Sequence, residues 1–98
     1  MDRTEVLRQA NEIITKDRQA THGKPEDNFR IIGLFWSAYL NHEIKPTDVA
    51  MMMAMLKIAR FRNAPWHLDN AMDLAGYAAI AGELGATLEN RAGSAVHE

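Results

Sequence analysis

The chain has no cysteine, which excludes disulfides, thiolate metal sites and a cysteine nucleophile, and fits a reducing compartment such as the cytoplasm. Its six glycines stand singly along the chain, so neither a Walker-type nor a dinucleotide-type phosphate loop is present. There is no nucleophile elbow and no His-x-x-x-His pair for zinc. The formal net charge is only −2 over 98 residues, so no global basic field draws the chain to nucleic acid or to an anionic membrane. The longest apolar run, Val49 to Leu56, is far too short to span a bilayer. The opening Met1-Asp2-Arg3-Thr4-Glu5 is charged and does not read as a signal peptide. Nowhere does the alternation of a strand appear. The expectation is one small cytoplasmic domain.

What is there is helical. Hydrophobic residues make up 47% and charged residues 24%, which argues for a folded chain and against disorder. Asp2, followed three residues later by Glu5, predicts a capped helix over residues 2–17, with Val6, Leu7, Ala10, Ile13 and Ile14 on one face. Thr21-His22-Gly23-Lys24 breaks it. The three prolines each fall near a helix start. Pro25 opens a second helix running to about Asn41, with one apolar stripe at Phe29, Ile32, Trp36, Tyr39 and Leu40 and another at Ile31, Leu34, Phe35 and Ala38. Pro46 opens a third, to about Arg62, whose Val49–Leu56 stretch has no polar face and is expected to be buried on every side. Pro65 lies near the start of a fourth, opened by Trp66-His67-Leu68-Asp69 and ended at Gly82 or, better, Gly85. These elements predict an all-α, antiparallel four-helix bundle over residues 1–85 and a flexible tail over 86–98. Two helices apolar on more than one side, with six methionines and two tryptophans in so small a chain, predict a homo-oligomer.

The polar residues of the fourth helix hold the chemistry. Asp69, Asp73 and Tyr77 recur every four residues and share a face, bordered by Asn70. One helix earlier, Lys57 and Arg60 are three apart and share a face too. Counting outward from the short loop between the helices, Arg60 matches Asp69 and Lys57 matches Asp73. The bland reading is a pair of salt bridges locking two helices. The functional reading is a pocket in which the cations meet phosphate while the acids take a ribose hydroxyl or a divalent metal, with Asp69 and Asp73 the metal candidates and Trp66 and Tyr77 at the edge. A second feature, His22-Gly23-Lys24, sets two bases beside a helix start where an anion could bind; its bland reading is an ordinary loop. Trp66 beside His67 could stack on a base, although aromatic side chains more commonly serve packing.

From Arg18 to Glu83 the chain resembles a family of short proteins of unassigned function seen mostly in phages and prophages. The resemblance rests on His22-Gly23, Asn28-Phe29, Leu34-Phe35-Trp36, Pro46-x-Asp48-Val49-Ala50, Lys57-x-x-Arg60 and Asp69-Asn70-x-x-Asp73-Leu74-x-Gly76-Tyr77. More distantly, four helices with acids on the last are similar to the all-α MazG-like nucleoside triphosphate pyrophosphohydrolases, which implies oligomers, Mg²⁺ and a nucleotide substrate. Such enzymes oppose a Glu-x-x-Glu pair to a Glu-x-x-Asp pair, whereas here the third helix reads Met51 to Leu56 and then Lys57. Only Asp69 and Asp73 stand where metal ligands are expected, with Asp48 or Asp27 as distant alternatives. Three functions stand as expectations: a nucleotide-binding protein that sequesters a signal of host defence, a Mg²⁺-dependent hydrolase, and a structural or protein-inhibitory bundle.

Overall fold

Asp2 starts the first helix as its spacing requires. Its Oδ1 accepts the Glu5 backbone N–H at 2.9 Å, satisfying one of the donors a helix start leaves unpaired. In the computed structural model, which describes residues 1–17 and 24–91, α1 spans Arg3–Glu12. The Glu5 carboxylate does not complete a capping box; it binds the Arg8 guanidinium and the Gln9 amide instead. The predicted helix over 2–17 changes pitch at its end, where Ile13–Asp17 form a wide π turn. That turn sets Ile14 against Gly76, where a side-chain carbon would come within 2.7 Å of the Ile14 methyl.

α2 spans Pro25–Leu40 and stops at Asn41, which takes the left-handed conformation with φ 53°. Asn tolerates that conformation better than most residues do. Ser37 Oγ then accepts the Ile44 N–H at 2.7 Å and secures the connection to the next helix. Gly33 lies against that connection: a Cβ there would sit 2.7 Å from the Ile44 carbonyl oxygen. α3 spans Pro46–Asn63. Asp48 Oδ2 accepts the Lys45 N–H at 2.9 Å, so this acid caps a helix and is not a ligand of the α3–α4 site. A turn over Ala64–His67, closed by the His67 N–H on the Ala64 carbonyl at 3.0 Å, has Pro65 at its second position. α4 therefore starts at Leu68 and runs to Arg91. It passes straight through Gly82 and Gly85, the expected stops, and residues 86–91 are helix. The rest of the expected tail, 92–98, lies outside the described residues.

Four α-helices and no strand make up the described residues, as an all-α class requires. Their packing is ordered: α3 lies most extensively along α4, with α1 on α4 and α2 on α3. The core runs through Phe29, Val49, Ala50, Ala54, Tyr77 and Ile80. The Phe29 and Tyr77 rings stack with centroids 6.1 Å apart, tying α2 to α4. The uniform apolar stretch of α3 is not buried on every side of the chain. Val49, Ala50 and Ala54 face inward, while Met51, Met52, Met55 and Leu56 stay exposed. An α-helix packed against neighbours on one side hides one face, whatever the composition of the other.

Candidate functional site

The hollow between α3 and α4 is built where the two helices meet their loop. Asn70, in the first turns of α4, is 7% exposed. Its Nδ2 donates to the Arg60 carbonyl at 3.4 Å, which also receives the Ala64 N–H at 2.9 Å. One level deeper, Lys57 Nζ meets Asp73 Oδ2 at 2.8 Å, with side chains only 13% and 20% exposed. Residues equally far from the loop thus face each other, as in an antiparallel helix pair. Above this pair opens a hollow of about 360 Å³ lined by Lys57, Arg60, Asn63, Ala64, His67, Asp69, Asn70 and Asp73.

The two matched pairs expected from spacing fare differently. Lys57 and Asp73 pair as the count from the loop predicts. Arg60 and Asp69 do not: the Asp69 carboxylate turns to His67 Nε2 at 3.7 Å, on the exposed rim. Arg60 is exposed and makes no ion pair among the described residues. Level with it, Asn70 has taken the inward position. The set therefore separates into an inner, half-buried ion pair and an outer, solvent-facing group of Arg60, His67 and Asp69.

Other expected members lie elsewhere. Tyr77 is 6% exposed and belongs to the core; it lines a small void with Ile13, Ile14, Asp73 and Ile80, so of the hollow's residues it shares only Asp73. Trp66 is 77% exposed in the loop and does not line the hollow. Lys24 lines a separate cleft with Thr15, Pro25, Glu26 and Glu83. His22 lies outside the described residues. The lining residues that spacing alone leaves out are Asn63 and Ala64, which come three and four positions after Arg60 and share its face, and His67, which the loop turn brings over the α4 start.

A family model described as a domain of unknown function, DUF6378, matches residues 5–85. The chain belongs to this family. It is similar to the gene 55 protein of Mycobacterium phage D29, 41% identical over 73 residues that cover 74% of this chain and 48% of that protein. The gene 55 protein of Mycobacterium phage L5 is 42% identical over 76 residues, covering 76% and 49%. The chain spans about half the length of these curated relatives. No solved structure matches it. The expected kinship with phage proteins of unassigned function is met, and neither the family description nor the relatives' names mention MazG-like enzymes. The matched span contains the whole hollow.

The donor set does not suit a Mg²⁺ ion held by the protein. Among the described residues no three carboxylate or imidazole groups converge on one point. Asp73 is engaged by Lys57, and Asp69 stands at the rim with its side chain 69% exposed. No helix among the described residues is long and apolar enough to cross a membrane.

Proposed function

We propose that the hollow between α3 and α4 binds a small phosphate-bearing ligand of the nucleotide class and holds it without hydrolysing it. The observation that carries this reading is Arg60, a guanidinium with no ion pair among the described residues, on the rim of a hollow whose floor already has its charges balanced by Lys57 and Asp73. The lining as a whole sets two cations, Lys57 and Arg60, against two carboxylates, Asp69 and Asp73. Bare phosphate gains little from such a site. A nucleotide gains more, because Arg60 can grip phosphate through two parallel N–H bonds while Asp69 accepts from ribose hydroxyls and Asn63 offers an amide to a base edge. The volume falls in the range of small-molecule sites. Trp66, exposed one residue before His67, is available to stack on a base. The ligand class is the one that the MazG-like likeness read from the sequence would imply, and the donor set weighs against the metal chemistry. For a relative of phage proteins, holding a nucleotide intact would withdraw a signal of host defence.

Lys57–Asp73 favours a second role for part of the set. This pair is structural, locking α3 to α4, and the ligand meets the outer group. The test separates the two. Protein purified from its host is heat-denatured and the released small molecules are identified by mass spectrometry. The purified chain is then melted with a nucleotide panel, with and without Mg²⁺. A ligand that raises the melting temperature and is recovered unchanged supports the reading; hydrolysed product supports the enzyme instead. Absence of any released molecule and of any shift leaves the salt-bridge role alone.

A further inference from the structure

The outer faces of α2 and α3 leave more apolar surface in water than a small chain ordinarily shows. On α2, Ile31, Leu34 and Phe35 point away from the core; on α3, Met51, Met55 and Ile58 do the same, and all six are between 45% and 72% exposed. No charged residue lies between Arg30 and Glu43, or between Asp48 and Lys57. At these exposures the six side chains present on the order of 700 Å², close to the about 800 Å² per partner of a standard interface.

We propose that this surface is covered by a second copy of the same chain, with α2 pairing antiparallel to α2 about a two-fold axis between Leu34 and Phe35. A closed two-fold interface uses the same patch on both subunits. A face without charges brings no like charges together when it meets itself. In this register residue Ile31 lies opposite Ala38 of the other copy and Leu34 opposite its Phe35. Beyond the apolar stretch the ends carry mixed charge, with Asp27 coming opposite His42 and Glu26 opposite Glu43 of the other copy. Antiparallel helices also place dipole ends of opposite sign side by side. The pairing leaves the hollow open. At about 100° per residue, Lys57 and Arg60 lie roughly 160° around α3 from Met51, Met55 and Ile58. Dimerisation and ligand binding are therefore separable, and either can fail without the other.

Light scattering on the wild-type chain at micromolar concentration is expected to give at least twice the 11.0 kDa chain mass. Phe35→Glu should give the single-chain mass with an unchanged helical circular dichroism spectrum, because Phe35 contributes little to its own subunit's core. The cysteine-free chain allows a second readout. Leu34→Cys, otherwise native, should form an intersubunit disulfide on mild oxidation, as should an equal mixture of Asp27→Cys and His42→Cys chains, while Thr4→Cys should not. A wild-type chain that stays at 11.0 kDa, an oligomer that survives Phe35→Glu, or a Leu34→Cys chain that cross-links no better than Thr4→Cys would each overturn the proposal.

Discussion

Lys57 and Arg60 are one helical turn apart and carry the same charge, yet their surroundings assign them opposite work. Lys57 is held against Asp73 at 2.8 Å with both side chains mostly out of water. Replacing it with Ala leaves a carboxylate poorly solvated and alone, which should lower stability by about 1–3 kcal/mol, less than for a fully buried pair because some water still reaches both groups. For a chain this size that is a fall in melting temperature of roughly 5–20 °C, readable by thermal denaturation, and Asp73→Ala should behave alike. Arg60→Ala should leave the melting temperature within a degree or two and abolish any ligand-induced rise. Uniform destabilisation across the three variants would contradict the division. At the other end of the chain, the Arg8 guanidinium, with help from the Gln9 amide, holds the Glu5 carboxyl down to about 2 from its ordinary 4.5. A depressed acid contributes stability above its unfolded value, and the contribution is lost as pH falls from 4.5 toward 2. Following the Glu5 side-chain carbon by NMR should find its midpoint near 2, and Arg8→Ala should return it toward the ordinary range.

Among the elements, the starts were legible, and so were the ends of α2 and α3 to within a residue, but the end of α4 was not. Asp2, Pro25 and Pro46 announce helix starts through chemistry confined to one turn, and each helix begins within a residue of them. A glycine announces a stop only if the backbone turns left-handed there, and the residues beyond it decide that. Gly82 and Gly85 stay helical inside α4. The matched spacing of Lys57 and Asp73 was readable because two helices joined by a short loop must run back along each other. The loss of the Arg60–Asp69 pair was not, because it turns on Asn70 claiming the Arg60 carbonyl. The widening at Ile13–Asp17 was also hidden, since four- and five-residue backbone bonds suit the same apolar spacing over one turn. These placements separate three glycines experimentally. At Gly82 and Gly85 no atom of the described residues lies within 4 Å of an added Cβ, so Ala should stabilise by about 0.5–1 kcal/mol each. A C-terminal stop at Gly85 would make its substitution destabilising. Gly33→Ala should lower stability despite its better helix propensity, because the Cβ meets a backbone carbonyl at 2.7 Å that no side-chain rotation can move. Chemical denaturation of the three variants checks all of this.

At the scale of the whole molecule, the sequence disclosed how apolar α2 and α3 are but not which apolar side would be covered within one chain. Composition has no direction; packing order does. That order, α1 on α4, α4 along α3, α3 against α2, makes the α3–α4 pair the hub and leaves the outer helices attached mainly along one side. Structures of this kind open piecewise, and the pieces exchange their amide protons with solvent deuterium at different rates. The amides of α1, whose buried residue is Ala10 alone, should exchange first. Those of Val49 to Ala54 and of Met72 to Ile80 should exchange last and set the global unfolding free energy. The Ile44 amide, although it lies between helices, should exchange slowly as well, because Ser37 holds it. A mass-resolved exchange experiment in which α1 proved as protected as α3 would mean that the chain opens as one unit, with no outer layer to shed.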